Sequence, residues 1–152
     1  MIGSIRGRLL EKNPPQILVE TNGIGYEIDV PMSTLYNLPD IGAEVFLYTH
    51  YVVREDAELL FGFSTKAERS LFRLLIRISG IGPKIALSIL SGISASILAQ
   101  AVSQAEPGLL TRIPGVGKKT AERIVLELKG KIDTVVGSAD SQTPTSGAKA
   151  DI

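Results

Sequence analysis

The sequence predicts an α+β protein of two unlike parts, a small five-stranded β-barrel followed by an all-α region. Three observations carry that prediction. Short β-rich runs separated by turn residues fill residues 1–63. Near residue 64 the apolar spacing changes from alternation to the three-and-four spacing of a helix. Within the helical part, a segment built around a Gly-x-Gly turn occurs twice.

The expected strands are Ile2 to Leu10, Gln16 to Thr21, Tyr26 to Val30, Val45 to Val53 and Leu59 to Phe63. The separators are turn chemistry: Asn13-Pro14-Pro15, Asn22-Gly23-Ile24-Gly25, Leu38-Pro39-Asp40-Ile41-Gly42 and Arg54-Glu55-Asp56-Ala57. Ser33 to Leu38 has room for one helical turn between the third and fourth strands. Five short strands with one brief helix suit a closed barrel of the OB type, and residues 1–63 are expected to form that domain.

The helical part opens at Thr65-Lys66-Ala67-Glu68, a capping-box pattern in which hydroxyl and carboxylate satisfy free backbone donors reciprocally. Leu71, Leu74, Leu75 and Ile78 then give one apolar face. Gly80 and Gly82 interrupt the helix, and Pro83 takes the first position of the next, where its missing N–H costs nothing. Gly92 ends that helix. Another runs from Ser94 or Ser96 towards Gln104, and Pro107 opens a short helix to Arg112. The last helix, Lys118 to Lys129, turns Ile124, Val125 and Leu128 inward. Residues 64–135 are thus expected to form one all-α domain. Residues 136–152 have almost no large apolar side chains to offset their ordering entropy, and are expected to be a flexible linker or tail.

Composition narrows the function. The absence of cysteine excludes disulfides, thiolate zinc sites and iron–sulfur clusters, and accords with a cytosolic protein. The start, Met1 to Arg8, lacks the apolar segment of a secretory signal, and no run approaches the roughly 18 apolar residues of a membrane span. The single histidine, His50, sits in an apolar run and reads as a packed side chain rather than a ligand. The formal net charge of zero conceals a segregation. Residues 1–65 carry 4 Lys/Arg against 9 Asp/Glu, residues 66–131 carry 11 against 4, and residues 132–152 carry 1 against 3. A basic middle region points to an anionic partner.

The repeat says where that partner is held. Ser79-Gly80-Ile81-Gly82-Pro83-Lys84-Ile85-Ala86 recurs at an offset of 35 residues as Pro114-Gly115-Val116-Gly117-Lys118-Lys119-Thr120-Ala121. Flanking matches include Leu75 with Leu110, Arg77 with Arg112, Ile78 with Ile113 and Ile89 with Ile124. A helix that begins just after Gly-x-Gly presents unpaired N–H groups and the positive end of its dipole. The glycines Gly80, Gly82, Gly115 and Gly117 let an oxyanion approach, while Lys84, Lys118 and Lys119 add charge at the same point. Arg123, one turn beyond Lys119, is placed to reach a neighbouring phosphate. Such a site reads no base edge. It fits the phosphodiester backbone, and two copies fit two positions along it. A nucleotide loop is excluded: Gly-x-x-x-x-Gly-Lys-Ser/Thr needs glycine where Arg112 stands and Ser or Thr where Lys119 stands.

Each repeat resembles a helix-hairpin-helix motif, a sequence-independent binder of DNA backbone. The whole order, barrel then paired motifs, closely resembles the RuvA family of Holliday-junction-binding subunits in bacterial branch-migration machinery. The likeness runs through Met1-Ile2-Gly3, Asn22-Gly23-Ile24-Gly25-Tyr26-Glu27, and Thr49 to Ala57. It continues through Gly80 to Lys84 and Gly115 to Arg123. It implies a bacterial cytoplasmic, nucleoid-associated homotetramer, or an octamer on DNA, that holds a four-way junction open and flat in recombination and repair. It also implies that Glu55 and Asp56 form an acidic pin at the tetramer centre; by themselves they read as a solvated turn. Family members carry a third, small helical domain that docks the ATP-driven motor RuvB. This chain stops at Ile152, inside what would be the preceding linker, so this form is expected to bind junctions yet recruit the motor poorly.

No cofactor or metal is expected, and catalysis is assigned to the partner, because the sequence offers no nucleophile–base set, metal cluster or nucleotide loop. Two rival functions fit the residues less well. A helix-hairpin-helix DNA glycosylase would use a catalytic aspartate beyond the second hairpin. Asp133 echoes it, but 16 residues from Gly117 is too short a spacing and the barrel is unexpected there. A general single-strand binder would stack bases on the barrel, whose part of the chain is acidic and poor in aromatics.

Overall fold

The computed structural model of the protein describes residues 1–132, so the expected linker at 136–152, the last residues of the expected helical domain and Asp133 lie outside the described residues. Period-two burial builds the first part. Strands β1 (Ser4–Asn13), β2 (Gln16–Thr21), β3 (Ile24–Asp29), β4 (Glu44–Val53) and β5 (Glu58–Phe63) form a closed barrel in the order β1-β2-β3-β5-β4. All neighbours are antiparallel except β3 and β5, which meet in parallel at Asp29 and Phe61. Helix α1 (Met32–Tyr36) links β3 to β4. Leu9 faces Val19 across β1 and β2, Ile17 faces Ile28, and Ile5 faces Leu47, all of them buried in the barrel core. The expected five-stranded barrel is therefore the observed one.

The start of β3 differs from expectation for a local reason. The turn between β2 and β3 is only Asn22-Gly23, with φ of 51° and 87°, so Ile24 and Gly25 already belong to the ladder. Positive φ at both central residues is the hairpin geometry that matches strand twist.

Five helical elements follow: α2 (Lys66–Ile76), α3 (Pro83–Gly92), α4 (Ala95–Ser103), a 3₁₀ helix (Pro107–Arg112) and α5 (Lys118–Leu128). Their apolar faces meet in a second core containing Leu71, Leu75, Ile89, Leu98, Leu110, Ile124 and Leu128. The two cores share one strand. Along β5, Leu60 points into the barrel, while Phe61 and Phe63 point the other way into the helical core. Phe72 of α2, with no exposed surface, packs against both rings at centroid distances of 5.1 and 4.9 Å. No single helix among the described residues is long and apolar enough to cross a membrane.

Polar contacts reinforce this junction, and one corrects an expectation. The Thr65 hydroxyl accepts from the Glu68 amide at 3.1 Å, but the reciprocal arm of the capping box is not formed. The Glu68 carboxylate accepts instead from Ser33 Oγ at 2.6 Å and Thr34 Oγ1 at 3.5 Å. Tertiary donors displace the local one, tying α2 to α1. The next residue, Arg69, donates to the Gly3 carbonyl at 2.7 Å. One turn on, Arg73 Nε donates to His50 Nδ1 at 3.0 Å.

His50 is thus a neutral acceptor, packed edge-on to Phe72. Burial, and then the charges of Arg73 and Arg69, hold its pKa below the ordinary 6.5. As pH falls, the unfolded chain takes up this proton first, so the stability is whole above about pH 6.5 and is lost as pH drops through the depressed value. Replacing His50 by Gln, which still offers an acceptor to Arg73, is expected to reduce the drop in melting temperature between about pH 7 and about pH 5. Equal drops in both proteins would remove His50 as the cause.

Candidate nucleic-acid interface

The sequence repeat is also a repeat of conformation. After α2, the chain passes through Gly80 at φ +90° and caps α3 with Gly82 at φ −90°, ψ 177°. After the 3₁₀ helix it passes through Gly115 at φ +89° and caps α5 with Gly117 at φ −89°, ψ −179°. The hydrogen bonds repeat too. The Ile81 amide donates to Ile78 and the Val116 amide to Ile113, each at 3.0 Å. The Ala86 amide donates to Gly82 at 3.0 Å and the Ala121 amide to Gly117 at 2.9 Å. Side chains with a Cβ are disfavoured at the positive φ of Gly80 and Gly115, which explains why glycine stands at both turns.

Apolar residues anchor each turn from below. Ile78 and Ile81 under the first, and Ile113 and Val116 under the second, are buried, as are Ala86 and Ala121 in the following helices. Neither Gly82 nor Gly117 provides a side-chain cap. The opening amides of α3 and α5, beyond Pro83 in the former, are therefore left without an intrahelical acceptor. Each helix presents them with its positive dipole end, and Lys84, Lys118 and Lys119 stand exposed on the same first turns. The arrangement can hold an oxyanion at each hairpin through backbone donors, supplemented by ammonium groups.

The sequence-derived residues do not all share one depression. Gly80, Lys119 and Arg123 line a single groove with Ser79 and Thr120, which joins the first turn to the opening of α5. Lys84 lines a separate cleft between α3 and the barrel, with Asp29, Phe61 and Ser88 among its walls. Gly82, Gly115, Gly117 and Lys118 are exposed on the turns and helix starts. Arg123 is committed within the chain: its Nη1 donates to the Ser79 carbonyl of the first turn at 3.2 Å. Sequence reasoning missed Ser79 and Thr120 as groove residues. The available signal was the repeat itself, which aligns Thr120 with Ile85 and thereby shows a polar residue where its twin is apolar.

Glu55 and Asp56 are exposed at the tip of the β4–β5 hairpin, closed by the Arg54 amide donating to the Ala57 carbonyl at 2.8 Å. Glu58 at its base is engaged by the Tyr51 hydroxyl, a hydrogen bond that raises the Tyr51 pKa. The tip pair is thereby set apart from the third carboxylate nearby. Among the described residues no group of His, Asp and Glu is placed to hold a metal ion.

Comparison with known proteins agrees with this layout. Residues 1–62 match the model of the RuvA N terminal domain, and residues 72–131 match that of the SAM-like helix-hairpin-helix tandem. A protein of Cupriavidus metallidurans named Holliday junction branch migration complex subunit RuvA is 60% identical over the whole of this chain and 79% of its own length. The proteins of the same name from Methylibium petroleiphilum and Delftia acidovorans are 57% and 62% identical. The former is matched by 100% of this chain over 79% of its length, the latter by 91% over 73%.

Proposed function

This chain belongs to the RuvA family, and on that premise we propose that it binds four-way DNA junctions without regard to sequence, as the DNA-holding subunit of a branch-migration complex. The observation that carries this function is the pair of conformationally matched hairpin turns, each with lysine beside uncapped helix amides. Gly80, Gly82 and Lys84 hold one phosphate; Gly115, Gly117, Lys118 and Lys119 hold another, with Arg123 beside them. Contacts of this kind position DNA without reading bases.

One such pair grips any duplex. Choice of a junction requires several pairs arranged around a centre, and the working unit is proposed to be a homotetramer that holds the junction open and planar. Glu55 and Asp56, exposed on a turn and free of the Tyr51 hydrogen bond that occupies Glu58, serve there as the acidic pin. Their charges repel phosphates from the crossover and keep duplexes from closing over it. The chain itself holds DNA and performs no bond-breaking step; an ATP-driven partner motor, RuvB in this family, supplies the work of migration.

The test is a gel-shift comparison of a four-way junction, a linear duplex and a single strand of matched length. The junction is expected to bind tightest, and equal affinity for all three overturns the proposal. With Glu55→Gln and Asp56→Gln together, duplex affinity is expected to rise towards that of the junction. If both affinities are unmoved by that change, the acidic turn has no such role.

A further inference from the structure

We infer that Arg123 is a positioning residue, a strap across an open groove that fixes the spacing of the two phosphate-holding turns, an assignment that rests on the DNA-binding function proposed above and deepens it. The repeat offset of 35 pairs Gly80 with Gly115, Ile85 with Thr120 and Ser88 with Arg123. Each turn faces the opening helix of the other repeat, but the two sides differ. A Cβ built on Gly115 lies 3.7 Å from Ile85 Cγ1, which is ordinary van der Waals contact, so the second turn rests on α3. A Cβ built on Gly80 meets nothing within 4 Å. In that place lies the groove lined by Ser79, Gly80, Lys119, Thr120 and Arg123.

The difference traces to one position. Isoleucine at 85 fills its side of the pair, whereas the shorter, polar Thr120 leaves the other side open. Arg123 crosses the opening, donating from Nη1 to the Ser79 carbonyl, a bond between residues 44 apart in sequence. A guanidinium donor makes this a charge-assisted bond, stronger than one between neutral groups. Its repeat twin Ser88 instead lines the cleft towards the barrel, so the strap has no counterpart on the packed side. Two sites that grip one rigid backbone gain from each other only when their separation fits it, and a drifting turn forfeits that gain.

The experiment measures junction affinity across a salt series for the wild-type chain, Arg123→Ala, Arg123→Gln and the double variant Arg123→Ala with Thr120→Ile, with a melting curve on each. Arg123→Ala is expected to lower affinity about five-fold, the order of one missing hydrogen bond, with the salt slope unchanged. Isoleucine at 120, copying residue 85, is expected to close the groove by packing and restore most of that affinity. Arg123→Gln, which keeps a donor without the charge, must also retain the wild-type slope. A slope flatter by about 0.9 in either single variant identifies Arg123 as a phosphate ligand and overturns the strap. Failure of Thr120→Ile to restore affinity overturns it as well. Absence of junction binding by the wild-type chain overturns the DNA-binding function itself, an outcome distinct from both.

Discussion

Replacing Lys84, Lys118 and Lys119 together by alanine is expected to flatten the salt dependence of junction binding by about 1.8 in log–log slope, roughly 0.9 for each of the two phosphates no longer neutralised. At low salt the fall in affinity should reach orders of magnitude, because displaced counterions supply most of the sequence-independent binding free energy. The fold should survive, since none of the three lysines is buried and the residues that shape the turns are the buried Ile78, Ile81, Ile113 and Val116. Circular dichroism with a salt series on a fluorescent junction separates these quantities. A slope unchanged from the wild type would remove the lysines from the interface. A reduction of about 0.9 with only Lys118 and Lys119 replaced would assign the remainder to Lys84, which stands on a different cleft from Lys119.

Phe72→Ala is expected to have the largest effect on stability, a decrease of about 3–5 kcal/mol measured by denaturant unfolding. Phe72 has no exposed surface and meets Phe61, Phe63 and His50. Truncation opens a cavity between barrel and helices, where strand and helix backbones limit collapse. The decrease should be shared by both parts, because β5 belongs to both cores. Probes in the barrel, such as Tyr26, and in the helices should report one shifted transition. A decrease below about 1 kcal/mol would mean that the site relaxes around the cavity.

Much of this architecture is legible in the chain, for reasons that can be named. Turn residues at Asn13-Pro14-Pro15 and Asn22-Gly23 separate the strands, and Thr65 with the spacing of Leu71, Leu74, Leu75 and Ile78 marks the first long helix. The hairpins are legible because they occur twice: a feature weak in one copy gains meaning when its twin aligns at Ile78, Gly80, Gly82 and Ala86. What escapes the sequence is long-range pairing of side chains whose local role is already plausible. Glu68 sits where a capping box wants it and turns instead to Ser33 and Thr34. Arg123 sits where a phosphate ligand is natural, and its bond to Ser79 depends on how two helices cross. The run Leu60-Phe61-Gly62-Phe63 is apolar on both faces, as a strand covered on both sides is. Only the fold shows what covers each face, the barrel core on one side and Phe72 on the other.

The shared strand has a mechanical consequence. The acidic turn at Glu55-Asp56 leads directly into β5, and β5 is clamped through Phe61 and Phe63 to Phe72 of α2, whose far end runs into Ser79-Gly80. From acid pair to first hairpin the path is strand, aromatic clasp and helix, with the Glu68, Arg69 and Arg73 hydrogen bonds bracing α2 against the barrel and α1 along its length. Such a path behaves as a strut rather than a hinge. On the proposed function, load on a phosphate held at Gly80 would be delivered to the carboxylates at the tip without any change of fold.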